Sequence, residues 1–577
     1  MSASTVERHP PREDVQRPPA AHVSRSLRWL PWVVLLAVMA GAAVLLMWAG
    51  RDTTFFYDDW PFVQSRGDWN PNTLLRPHNE HLSVFPLILY KVLFETVGLH
   101  EHWVYRAALV ALNLLTGLLL FLYARRRIGD WPAVALAACL IVMAPSWYNL
   151  VYSFQVNFVG AMAAGMGALL ALDREDRKGD VMAALLLGVA IGSASVAFPF
   201  LLAAVVELVW RRDWRRLAIV GGVPIFAYVV WMIGWGTGNS VRLHNAPDIP
   251  GYMIDGADDA AGAITGYGVQ VGLLLFWTLA ALTAREVIDG RVSARLLAVI
   301  SMPLSLWALT ALGRADMGVE ADANRYLYAA GLFVALVALE VARRYAISGR
   351  AAAVLAGFLF VGAIANANAV DNGGDILREW SSGGKYGVTA LEIAGPENVP
   401  REYDALDPTQ NFIKAGGVWD AIERYESSPG YTTEELREAP KEAQRGVDEA
   451  IARMLNLNVA AVDPKAPVGT TRPEQAGPQE GSVYPDDPGC VRLEPGKDGA
   501  SFHLRIPPWG LVVRAGDTPA EVRVRRFSTL FPEQPLGKVD AGGAGSLAVP
   551  RDRSTEPWDA KVNTSSVAVV CAIVDPT

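Results

Sequence analysis

Apolar runs of membrane-spanning length recur through the first two thirds of this chain, and a bilayer leaves such a chain few folds. A helix needs about 20 mainly apolar residues to cross a hydrocarbon core of roughly 30 Å, and its backbone polar groups must be satisfied there without water. Such runs fall near 28–49, 104–124, 131–145, 155–172, 181–197, 199–210, 216–235, 264–283, 295–312, 325–342 and 350–369, about eleven spans in all. Pro199 marks either a turn or a kink between two of them. Residues 81–98 are also apolar but include Pro86, Lys91 and Glu95, which suits a helix lying on the membrane surface. Composition agrees: 19% of residues are charged, where a soluble chain has about a quarter, and the deficit lies before residue 371. The first run is too long for a cleaved signal peptide. The polar tail ahead of it, residues 1–27, has the composition of a disordered segment.

Orientation follows from the arginines. Basic clusters occur at Arg125–Arg127, Arg174–Lys178, Arg211–Arg216, Arg285–Arg295 and Arg343–Arg350. With the N-terminus in the cytoplasm all five lie inside, and the loops 52–103 and 237–259 lie outside with the C-terminal region. The expected class is therefore a multi-pass α-helical protein of the plasma membrane, with its membrane domain at 28–370.

Beyond it, residues 371–488 read as a partly helical extracytoplasmic region. It includes a helix over Pro440–Leu455 with Val447, Ile451 and Leu455 on one face, and a Pro- and Gly-rich linker near 467–489. Residues 489–577 alternate apolar and polar in short runs, the pattern of a β-sandwich. Cys490 and Cys571 bracket that module and are either a disulfide, as an exported compartment permits, or two buried thiols. Cys139 lies in a span.

Several functions are excluded or disfavoured. There is no P-loop, dinucleotide fingerprint or Cys/His metal cluster, and nothing suggests a nucleic-acid partner. A glycan or lipid exporter, or a non-catalytic scaffold, is the alternative to an enzyme, but the spans lack the mid-membrane charge of a transporter. Polar chemistry gathers in the outer loops instead. The first holds Phe55-Phe56-Tyr57-Asp58-Asp59-Trp60 and then Arg76-Pro77-His78-Asn79-Glu80-His81. Paired carboxylates in an aromatic setting can supply a general base or a metal ligand; a solvated turn is the plainer reading. The His-Asn-Glu-His cluster is crowded for a metal site, and Asn79 or Glu80 can cap the surface helix that follows. A later loop holds Arg314, Arg325, Tyr326 and Tyr328. Its two arginines stand against the charge bias, and a guanidinium fork suits a phosphate, although a snorkelling arginine in an aromatic belt explains the same residues. Arg106 at a helix head, and Tyr152, Gln155 and Asn157 at another span boundary, are weaker candidates for ligand contact, the amides being better suited to helix packing.

The order of these features resembles the GT-C superfamily of membrane glycosyltransferases, actinobacterial members included: an acidic motif after the first span, a surface helix, Arg106 heading the next span, and Leu122-Tyr-Ala-Arg-Arg-Arg-Ile-Gly closing it. The resemblance implies a sugar donor carried on polyprenyl phosphate, a cell-envelope glycan or lipid as acceptor, and catalysis at the outer face. It puts a catalytic acid at Asp58 or Asp59. On an extended segment alternate residues face opposite ways, so one carboxylate of the pair should face the site. Restricted by Trp60 and Pro61, Asp59 is the expected base, with Asp58 orienting it or binding a divalent metal such as Mg or Mn. His78, Glu80, Arg106, Gln155, Arg314, Arg325 and Tyr326 are the expected substrate-binding set. The superfamily's extracellular β-domains sometimes resemble carbohydrate-binding modules, which would give Trp509 and Trp558 sugar rings to stack on, although core packing suits both.

Overall fold

The computed structural model describes residues 29–79, 81–236, 241–404, 406–497 and 499–574. Among these, nine helices are long and apolar enough to cross a membrane. Each of the eleven expected spans falls on a helix, but two are short. Arg177–Ile191 and Phe198–Trp210 have 15 and 13 residues, about 22 and 20 Å of rise. The turn at 192–197 separates them and Pro199 sits in the first turn of the second helix, so that proline follows a break and does not kink one long rod.

Layering follows side-chain character. The helices Asn324–Ala342 and Val156–Leu172, with Asp130–Ile141, occupy the centre and are buried on nearly all sides. Leu30–Ala49, Val223–Trp235 and Gly268–Ile288 form the rim and expose Leu36, Val44, Phe226, Ile233 and Leu274, which suits a lipid solvent. Val84–Thr96 is the expected surface helix, with Pro86, Tyr90 and Lys91 buried beneath it. Residues 237–259 were expected to be loop, yet Ile249–Thr265 is a 17-residue helix packed on the helices that follow. Its three aspartates interrupt the apolar run, while an Ala- and Gly-rich face allows close packing.

The basic clusters meet at one end of the bundle. There Arg127 pairs with Glu340 at 2.6 Å, Arg295 with Asp173 at 2.8 Å and Glu207 at 2.7 Å, and Arg216 with Asp180 at 2.7 Å. At the opposite end the last span does not stop. Gly349–Ala394 is a single 46-residue helix, roughly 70 Å long, so the boundary expected near 370 falls inside it. A Cβ on Gly374 would overlap the carbonyl oxygen of Ala49, and one on Gly387 that of Leu406. Glycine at these two places lets the helix touch the first span and then the appended region.

That region adds the helices Ala415–Tyr425, Thr433–Glu438 and Lys441–Met454, with Val447, Ile451 and Leu455 buried as the periodicity predicts. Two antiparallel sheets follow. One has six strands in the spatial order Ala460–Val462, Ala544–Ala548, Gly510–Arg514, Ala568–Ala572, Cys490–Pro495, Gly481–Pro485. The other has five: Glu474–Gln475, Ala500–Arg505, Asp559–Thr564, Ala520–Arg525, Gly537–Val539. Leu493, Leu511, Val513 and Val570 of the first and Phe502, Leu504, Val522 and Val562 of the second are buried in the core. Strands at 474–475 and 481–485 occupy the stretch expected to be linker. Cys490 and Cys571 are register partners on neighbouring strands and are joined as a disulfide. Trp558 is core, and half-buried Trp509 lies beneath the Arg551 guanidinium, 4.3 Å from its ring centre.

Candidate active site

The loop after the first span is held by its aromatic residues. Phe55 and Trp60 are fully buried with Tyr90, Phe94 and Tyr105, which pins residues 55–60 between the bundle and the surface helix. Asp59 is buried with them. Its carboxylate accepts the Tyr90 hydroxyl at 2.6 Å and the Phe56 N–H at 2.9 Å. Burial is the largest influence on its acidity, outweighing both hydrogen bonds, and pushes the pKa up to about 8.

Asp58 faces the other way. It lines a cavity of about 460 Å³, where it accepts the Asn79 side-chain N–H at 2.8 Å and lies 3.4 Å from His78 Nε2. The expectation placed Asp59 toward the site; the structure reverses the pair. The physical reason is that Asp59 begins a helix, Asp59–Ser65, whose inward face continues the aromatic core. Asp58 too has helical backbone angles, φ -68° and ψ -16°, so the alternation of an extended segment does not apply to the pair, and the burial of the helix decides which carboxylate faces the cavity. Asn79, expected as a helix cap, spends its amide on Asp58 instead, and the Val84–Thr96 helix starts without a side-chain cap.

Around Asp58 the cavity collects His78, His81, Gln155, Asn157, Arg314, Arg325 and Tyr326. Arg314 ends the helix Ala294–Arg314 and Arg325 is the second residue of Asn324–Ala342, so two helix ends aim their arginines into one space. Among the described residues neither arginine has a carboxylate partner. His81, against Arg314, is pushed down to about 4, mainly by burial and then by that cation, so it is neutral near pH 7. Gln155 accepts from Asn149 at 3.1 Å while lining the cavity, so it serves packing and site at once. A second, mostly apolar hollow of about 350 Å³ continues from the first. It shares His81, Phe158, Arg314 and Tyr326 and adds Pro199, Tyr228, Leu306 and Leu309.

Some expected residues lie elsewhere. Arg106 is buried against Gly50, donating to Thr53 at 3.1 Å, and is absent from the cavity wall because its helix turns that face toward the first span. Tyr328 donates to Asn113 in the core. Glu80 lies outside the described residues. Tyr152, one of the weaker candidates, uses its hydroxyl to donate to the Phe56 carbonyl at 2.6 Å and to accept the Asp58 N–H at 3.0 Å. The expected magnesium or manganese finds no fitting donor set. Among the described residues no three His, Cys, Asp or Glu side chains are grouped so that they could hold a metal ion, and two arginines share the cavity with Asp58.

Residues 88–244 match the model of glycosyltransferase family 87, a segment that runs from the surface helix through Val223–Trp235 and supplies Gln155, Asn157 and Phe158 to the cavity wall. A crystal structure of ArnT from Cupriavidus metallidurans bound to undecaprenyl phosphate is 16% identical, with a TM-score of 0.44 over 75% of this chain and 96% of that one. No curated protein matches. Nine helices of spanning length among the described residues make the chain a multi-pass membrane protein, and the segment that walls part of its cavity is similar to glycosyltransferase family 87.

Proposed function

We propose that this enzyme moves a sugar from a polyprenyl-phosphate carrier to a cell-envelope glycan or lipid at the outer face of the plasma membrane, with Asp58 as base. One observation carries the reading: among the described residues, the Asp58 carboxylate and two arginines without a carboxylate partner share a polar cavity that opens into an apolar hollow. The hollow suits the first isoprene units, the arginines suit the phosphate, and Gln155, Asn157 and His78 suit sugar hydroxyls. The acceptor oxygen attacks the anomeric carbon and its proton passes to Asp58. The bond from that carbon to the phosphate oxygen breaks, and polyprenyl phosphate leaves with its added negative charge facing Arg314 and Arg325. Neutral His81 can donate or accept a hydrogen bond there without competing for the phosphate. Asp59 takes no part in proton transfer; it holds the loop. The gathered basic loops belong at the cytoplasmic end, which puts the cavity outside.

Asp58→Asn keeps the shape and removes the base. Transfer should fall by about 10²–10⁴-fold while donor binding persists, and Asp59→Asn should keep most of its activity. Transfer at the wild-type rate in Asp58→Asn would sink the assignment.

A further inference from the structure

The loop carrying Asp58 is held from two sides, and the second side belongs to the region beyond the last span. Tyr57, just before Asp58, has φ +37°, a left-handed conformation that a bulky residue rarely adopts and that persists only where its surroundings enforce it. Its N–H donates to Gln410 Oε1 at 2.7 Å. Gln410 is fixed in turn: its Nε2 donates to Asp407 at 2.5 Å, and Asp407 also accepts the Thr409 N–H at 2.9 Å and hydroxyl at 2.7 Å. Gln410 and Asp407 are each 1% exposed. The same segment seats Phe412 edge-on against the Tyr57 ring at 5.2 Å and joins Lys414 N–H to Gln64 at 2.8 Å. On the bundle side Tyr152 holds the Phe56 carbonyl and the Asp58 N–H.

We infer that Gln410, backed by Asp407, is a positioning residue for the transfer reaction: it fixes the Tyr57 peptide in its left-handed turn and so aims the Asp58 carboxylate into the cavity. The appended region is then part of the catalytic unit. This inference rests on Asp58 as base, and it concerns the orientation of that carboxylate, leaving the donor pocket at Arg314 and Arg325 untouched.

The test is a double-mutant cycle in the full-length enzyme. Gln410→Leu keeps volume and removes the acceptor. Its kcat should fall roughly 10–100-fold, with donor affinity unchanged within about twofold. In an Asp58→Asn background the same substitution should cost almost nothing, because the group it aims is already inert. Pairing Gln410→Glu with Asp407→Asn restores the hydrogen bond with donor and acceptor exchanged and leaves an oxygen for Tyr57, so it should recover most of the rate. Wild-type kcat in Gln410→Leu overturns the inference, as does an equal loss in the presence and absence of Asp58. A loss of donor binding in parallel with kcat would show a merely structural residue and overturns it as well. Failure of the base assignment shows separately, in the Asp58→Asn single variant.

Discussion

Asp58 and Asp59 differ by one position in sequence and by their whole environment in the fold. The buried acid has a measurable signature in stability. Its folded pKa of about 8 lies well above the ordinary value near 4, so the folded state keeps a proton that the unfolded chain has released. Its favourable contribution is complete below about pH 4 and is lost as pH rises through about 8. Asp59→Asn mimics the protonated acid at every pH. Thermal unfolding in detergent should show the variant gaining on wild type from about pH 5 to 8 and level thereafter; a pH-independent difference would mean that the carboxyl is not buried. For the arginines, a charge-assisted hydrogen bond contributes about 1.5–3 kcal/mol. Arg325→Ala or Arg314→Ala should therefore weaken binding of a polyprenyl-phosphate donor roughly tenfold or more, read by titration. Unchanged affinity would return them to the aromatic belt.

Among the elements, the long last helix carries the most structural consequence. It spans the bilayer, packs Gly374 against Ala49 of the first span and Gly387 against Leu406, and leads to the segment that holds Tyr57. Gly374→Val puts branched atoms where the backbone of the first span already lies. Overpacking of this kind costs about 1–3 kcal/mol, so the variant should unfold at lower temperature in detergent; an unchanged melting temperature would show that the two helices separate easily. The periodic segments of this region were legible beforehand. Short strands inside a Pro- and Gly-rich stretch were not, because two or five residues of edge pairing leave too little pattern.

At the scale of the whole molecule, the ion-paired basic loops and the cavity lie at opposite ends. Reporter fusions after residues 127, 213 and 346 should therefore report cytoplasm and a fusion near 480 the exterior. A cytoplasmic signal at 480 would invert the proposed orientation. The Cys490–Cys571 bridge closes 81 residues of chain within the sheets. Replacing both cysteines by serine should lower the stability of this region by about 2–5 kcal/mol, seen as earlier proteolysis of the sheets with the spans intact. Equal protease resistance would show that the bridge adds nothing to the packing.

The sequence by itself determined the membrane class, the position of nearly every spanning helix, the strand-rich end and the loops whose polar residues line the cavity. These depend on local runs of apolar residues and on charge counted along the chain, both of which precede folding. It also brought forward Asp58, Arg314, Arg325 and Gln155, since charge or amide at a span boundary is conspicuous in an apolar chain. Only the tertiary structure decided which aspartate faces the cavity, that Arg106 turns away from it, and that Gln410, far along the chain, braces the loop. Those outcomes depend on which face of a helix meets which neighbour. That choice is made by the burial of Phe55, Trp60, Tyr90 and Tyr105 together, and no single stretch of sequence contains it.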